Sequence, residues 1–185
     1  LRQETDISVQ KCKDALQEAD GDLEEAKEIL KKKGQEMAEK RAERATKQGI
    51  IESYIHSNKK VGAMIKLTCE TDFVARSDEF QELAHEICMQ IASEEPEFLS
   101  QEDIPQEVLE EKKDLYREQL KDSDKPDDIK EEIIEGKLGK YKEENSLMSQ
   151  EWIRDKDKTI SELVDEYIAK IGENIELEEF TRFEI

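Results

Sequence analysis

Val61-Gly-Ala-Met-Ile-Lys-Leu-Thr-Cys69, then Glu70-Thr-Asp-Phe-Val-Ala-Arg76, then Ser77-Asp-Glu-Phe-Gln-Glu-Leu-Ala-His-Glu-Ile-Cys88, is the stretch that decides the fold. Val61, Ala63, Ile65, Leu67 and Cys69 share one parity, the period of two that marks a half-buried strand. Phe80, Leu83, Ala84, Ile87, Cys88 and Ile91 fall at helical spacing, with Ser77 or Asp78 placed to cap that helix. Phe73 therefore lies in the strand-to-helix turn, with charge on both sides. Spacing alone favours a Phe folded back onto its own core, as most aromatics are. The alternative is a Phe held out on a rigid loop to wedge into a partner.

Working outward, Gly49 to His56 reads as a preceding strand and Ser57 to Lys60 as the turn into the next. A third strand is expected from Glu173 to Ile185, where Ile175, Leu177, Phe183 and Ile185 share one parity. Ile160, Leu163, Val164, Tyr167, Ile168 and Ile171 stripe a core-facing helix that ends at Gly172. These elements predict an α+β core over residues 49–185, a small antiparallel sheet packed with helices. Within it, residues of about 105–148 read as a helical-hairpin arm. Val108, Leu109, Leu115, Tyr116 and Leu120 stripe one helix, and Ile129, Ile133, Ile134, Leu138 and Tyr141 the other, with Pro126 in the turn.

Residues 1–34 read as a small three-helix module whose first helix is clipped. Val9, Cys12, Leu16 and Ala19 stripe one helix, and Leu23, Ala26, Ile29 and Leu30 another, with Asp20-Gly21-Asp22 between them and Gly34 as the expected stop. Spare apolar surface on such short helices would serve as a docking face. Residues 35–48 are nearly all polar and read as a helical or extended linker. The chain has no initiator Met and begins inside a helical pattern, so native residues are expected before Leu1.

Composition narrows the function classes. The net charge is −20 and charged residues make up 42% of the chain, which argues against direct nucleic-acid binding. No apolar run reaches the roughly 18–20 residues needed to span a bilayer, and no signal peptide is visible. Three cysteines without a CxxC pair fit free thiols in a reducing cytoplasm. His85 and Cys88 lie three apart on one helix, yet no second ligand pair accompanies them, so no metal site is assigned. Cys69 is most simply packing, and the phosphate-binding GxxxxGK[ST] loop is absent. Neither covalent catalysis nor a bound cofactor is expected.

Three motifs in order carry a family resemblance. Leu1-Arg2…Thr5, Cys12-Lys13…Ala15-Leu16, Ala19…Gly21-Asp22 and Lys32-Lys33-Gly34 resemble a ubiquitin-associated-type amino-terminal module. Tyr54-Ile55-His56…Val61-Gly62 with Cys69-Glu70-Thr71-Asp72-Phe73-Val74-Ala75-Arg76 resembles a core signature, and Ala169 to Ile175 with Phe180…Arg182-Phe183 a carboxy-terminal one. Together they resemble bacterial elongation factor Ts, the guanine-nucleotide exchange factor of elongation factor Tu, in its short form with one core signature. The chain departs from that pattern at Asp6-Ile7-Ser8, where a Gly-Ala-Gly turn is usual, and at Glu178-Glu179, where a basic pair is usual.

The resemblance implies a cytoplasmic translation factor that binds elongation factor Tu, pairs as a homodimer and has no cofactor. It assigns exchange to Thr71, Asp72, Phe73, Val74 and His56, and docking of the amino-terminal module to Leu1, Arg2, Thr5, Cys12 and Leu16. It also reverses the odds on Phe73, making it the wedge beside the partner's magnesium site. Without it, a small helical module and an acidic arm would suggest a ubiquitin-type adaptor or a chaperone-like scaffold.

Overall fold

The computed structural model describes residues 1–5 and 7–185; Asp6, one of the three positions departing from the family turn, lies outside the described residues. The chain separates into two compact units, residues 1–93 with 161–185, and residues 94–160.

The first unit begins with helices α1 (Arg2–Thr5), α2 (Val9–Glu18) and α3 (Leu23–Arg41). Ser8 caps α2 through the Lys11 N–H, and the Asp22 carboxylate caps α3 through the Glu24 and Glu25 N–H groups. Ile7, Cys12, Ala15, Ala19, Ala26 and Leu30 form the small core between them. Gly34 does not end the helix as expected. Gln35, Glu36, Met37, Ala38, Glu39, Lys40 and Arg41 beyond it are good helix formers, and α3 runs on to Arg41. Gly34 is buried, and a Cβ there would stand 3.6 Å from the Cβ of Ala169. Its small size marks a close helix–helix approach, not a C-cap.

Strands β1 (Gln48–Ile55) and β2 (Val61–Cys69) form the expected antiparallel hairpin. Ala63, Ile65, Leu67 and Cys69 are buried on one face of β2. A one-turn helix, α4 (Asp72–Ala75), leads into α5 (Asp78–Glu94), which buries Phe80, Leu83, Ala84, Ile87, Cys88 and Ile91. Ser77, not Asp78, makes the cap: its Oγ accepts from the Phe80 N–H at 3.3 Å.

The second unit holds α6 (Gln106–Gln119) and α7 (Asp127–Asn145), the expected hairpin, then a short ladder of β3 (Glu151–Trp152) and β4 (Asp155–Thr159). Ile134, Leu138 and Tyr141 are buried, whereas Leu115 and Ile129 of the expected stripes are exposed. Charged contacts accompany the apolar ones along the hairpin. Lys113 pairs with Glu131 at 3.0 Å and Glu135 at 2.5 Å, and the Lys112 ammonium lies 4.6 Å from the Tyr141 ring centroid.

The chain then returns to the first unit through α8 (Ile160–Ile171) and β5 (Ile175–Glu184). Gly172, at φ 90°, adopts the left-handed conformation that closes α8. β5 pairs antiparallel with β2, giving the order β1-β2-β5. The expected parity of β5 fails halfway. Leu177 faces Leu67 but Glu179 faces Lys66, so Glu178 is an extra, bulged residue. A one-residue slip exchanges the faces. Ile175 and Leu177 stay buried, while Phe183 and Ile185 turn outward and are exposed.

Candidate functional site

The turn after β2 is built from side-chain-to-backbone hydrogen bonds. Thr71 Oγ1 accepts from the Val74 N–H at 3.4 Å and so caps α4. The same hydroxyl donates to Glu173 Oε1 at 2.7 Å, and the Thr71 N–H donates to Glu173 Oε2 at 2.9 Å. Ser77 Oγ donates to the Val74 carbonyl at 2.8 Å, fixing the far end. Ala75 points into the core, and Asp72 pairs with Arg76 at 3.0 Å on the solvent side.

Phe73 is held between these anchors with 83% of its surface exposed. No internal packing accounts for it. Seven residues on, Phe80 is fully buried. The two fates follow from the backbone: α4 offers its one inward position to Ala75, while α5 presents a whole apolar stripe to the sheet.

Beneath the turn, the Cys69 Sγ donates to the Thr71 carbonyl at 3.2 Å. Burial, reinforced by the Glu173 charge, pushes this thiol up to about 11, so it stays a protonated donor. Cys88, likewise buried, is pushed up to about 12. Neither sulfur is an activated nucleophile. His85 is exposed while Cys88 lies in the core, so their i, i+3 spacing brings no ligand pair together. Among the described residues no group of three or more His, Cys, Asp or Glu could hold a metal ion.

His56 stands just past the end of β1, exposed, with its N–H donating to the Val61 carbonyl at 2.9 Å. Its Nδ1 lies 2.9 Å from the Tyr54 hydroxyl, and Tyr54 meets the His85 ring edge-on at 5.7 Å. The sequence reading named His56 but missed Tyr54 as the group that orients it.

A second surface lies on the amino-terminal helices. Leu1, Arg2, Val9, Cys12 and Leu16 line an open, mainly apolar groove of about 360 Å³. Cys12 forms its floor, and Val9 is 60% exposed at its rim. Thr5 does not line this groove; its hydroxyl donates to the Leu1 carbonyl at 3.0 Å and completes its own helical turn. Glu178, at one of the expected basic positions, pairs across the sheet with Lys66. No helix among the described residues is long and apolar enough to cross a membrane.

Comparison with known proteins gives one answer along the whole chain. The family model described as elongation factor TS matches residues 3–185. Elongation factor Ts of Thermosipho melanesiensis is 51% identical over 185 residues, covering 100% of this chain and 94% of its own. That of Petrotoga mobilis is 50% identical, with the same 100% and 94% coverage. That of Caldanaerobacter subterraneus is 47% identical over 184 residues, covering 100% and 92%.

Proposed function

The chain belongs to the elongation factor Ts family and is therefore a translation elongation factor of the guanine-nucleotide exchange kind; on that premise we propose that it binds elongation factor Tu and drives GDP release with Phe73. The observation that carries this reading is the exposed Phe73 on a turn fixed at both ends by hydrogen bonds. An exposed aromatic on a mobile loop would lose much of its binding energy to ordering. One already held in place would not. The Phe73 ring enters between helices beside the partner's magnesium site and displaces the elements that hold metal and phosphate. Asp72, paired with Arg76, shapes the turn, Val74 supports it, and His56, oriented by Tyr54, touches the nucleotide-binding side.

Magnitudes divide the work. Nucleotide bound near nanomolar is worth about −12 kcal/mol, and a thousandfold weakening needs ~4 kcal/mol. Burying one Phe gives about 1.5–3 kcal/mol. Phe73 is therefore insufficient alone, and the groove of Leu1, Arg2, Cys12 and Leu16, on a ubiquitin-associated-like module, supplies docking energy against the partner's GTPase domain.

The protein acts as a homodimer. Ile51, Ile55, Met64 and Phe183 expose apolar surface on the sheet face away from the core, and a second copy presents the same patch.

Release of a fluorescent GDP from elongation factor Tu tests the function. Wild type is expected to accelerate release by orders of magnitude, and Phe73→Ala to lose roughly 10- to 100-fold of that acceleration. A wild-type protein that leaves the release rate unchanged refutes the exchange reading. A folded Phe73→Ala that exchanges at the wild-type rate refutes the wedge alone.

A further inference from the structure

The carboxy-terminal signature holds two residues that the exchange surface itself does not include. Glu173 and Asn174 form the two-residue bridge between Gly172, which closes α8, and the start of β5. Both reach across to the turn after β2. Glu173 spans the Thr71 amide and hydroxyl with its two carboxylate oxygens, at 2.9 Å and 2.7 Å. The Asn174 N–H donates to Glu70 Oε1 at 2.7 Å, and its side-chain amide donates to the Arg44 carbonyl at 2.9 Å. Arg44 Nη1 closes the ring on Glu70 Oε1 at 3.4 Å. That N–H from Asn174, with the Arg44 charge behind it, holds the Glu70 carboxyl below its ordinary value.

We propose that Glu173 is a positioning residue for exchange, clamping Thr71 so that α4 presents Phe73 in one orientation, with the Asn174–Glu70–Arg44 ring tying that clamp to the segment that follows α3. This rests on the exchange reading and adds the device by which the wedge stays rigid under load. The bonding pattern supports it. A carboxylate bridging an amide and a hydroxyl of one residue fixes both the position and the torsion of that residue, which a single bond does not. Thr71 is also the cap of α4, so any rotation of Thr71 carries Phe73 with it. The Arg44 contacts give force on the amino-terminal helices a hydrogen-bonded route to the same turn.

The test is fluorescent-GDP release from elongation factor Tu over a range of factor concentrations, for wild type, Glu173→Ala, Glu173→Gln and Phe73→Ala/Glu173→Ala. Glu173→Ala is expected to lower the saturating rate roughly tenfold, the loss of a charge-assisted bond converted to rate. The half-saturating concentration should move less than about twofold, because the docking groove is untouched. Glu173→Gln keeps one acceptor oxygen and should recover part of the rate. The double variant should be no slower than Phe73→Ala, because a clamp has nothing to position once the ring is gone. Faster amide hydrogen exchange from Thr71 to Ala75 in Glu173→Ala, measured without partner, is expected alongside. A raised half-saturating concentration with an intact saturating rate overturns the proposal, as does an additive double variant or unchanged amide exchange. Wild type that fails to accelerate release overturns the exchange reading first and this inference with it.

Discussion

The turn Thr71–Arg76 and the hairpin Gln106–Asn145 both hold out residues to solvent, and they are held by opposite means. In the turn, Glu173 and Ser77 grip backbone groups directly, and Ala75 is sunk in the core. In the hairpin, Lys113, Arg117 and Glu131 pair side chain to side chain in water. Bonds to the backbone fix where a neighbouring side chain points. Ion pairs between long, solvated side chains contribute little and leave their partners free to rearrange. The turn holds one ring in place, while the hairpin carries a broad charged surface.

The largest expected effect separates aiming from packing. Phe80→Ala should destabilise the protein by about 3–5 kcal/mol, because its ring is fully buried and its loss leaves a cavity in the core. Phe73→Ala should change stability by less than ~0.5 kcal/mol, since it removes an exposed ring with little internal contact to lose. Denaturant midpoints of the two variants against wild type decide it. A Phe73→Ala loss approaching that of Phe80→Ala would mean that the turn needs its ring for folding, and the contrast between the two regions would collapse.

The sequence displayed these regions unequally. β2, α5 and α8 were legible because their apolar residues repeat at the period of the element, and period is a local property. Phe73 was not legible by spacing, which pointed to the core; only the signatures on either side turned the expectation outward. The bulge at Glu178 left no local trace, since it exists only in the register of β5 against Lys66 and Leu67. Gly34 misled because a glycine after an apolar stripe looks the same whether it ends a helix or lets Ala169 approach. The Glu173–Thr71 clamp joins residues 102 apart, and no local pattern reports such a pair.

A smaller effect separates a carboxylate held by hydrogen bonds from one penalised by burial. Glu70, held low by the Asn174 N–H and then by Arg44, contributes stability that is present above its ordinary value of 4.5 and lost as pH falls through its folded value. Asp165 on α8 has the opposite sign. Burial, with Glu162, Glu39 and Glu166 adding repulsion, pushes its carboxyl up to about 6. The folded protein then binds this proton more tightly than the unfolded chain, so the site is most unfavourable above about pH 6 and ceases to be so near its ordinary 3.8. Asp165→Asn should therefore stabilise the protein by ~1 kcal/mol at about pH 7.5, after discounting for solvent screening, and the gain should fade by about pH 4. Thermal melts across that range read it directly. A gain that grows as pH falls would reverse the assignment.

The smallest effect belongs to the hairpin and comes from Gly136, within α7. A Cβ built there meets nothing within 4 Å, so neither close approach nor backbone strain requires glycine. The contrast in the first unit is Gly49, where a Cβ would stand 2.3 Å from the Leu67 carbonyl oxygen and the strand would have to move. Gly136→Ala should stabilise α7 by about 0.5–1 kcal/mol, chiefly by removing conformational freedom from the unfolded chain. Amide hydrogen exchange along Asp127–Asn145 is the sensitive readout, because it reports the helix itself and not the sheet. Slower exchange confined to α7, with the turn at Thr71 unaffected, is what two separately held regions require. Slowing that also reaches Thr71 to Ala75 would show the hairpin and the turn opening as one cooperative unit. The difference in how they are held would then be one of detail and not of function.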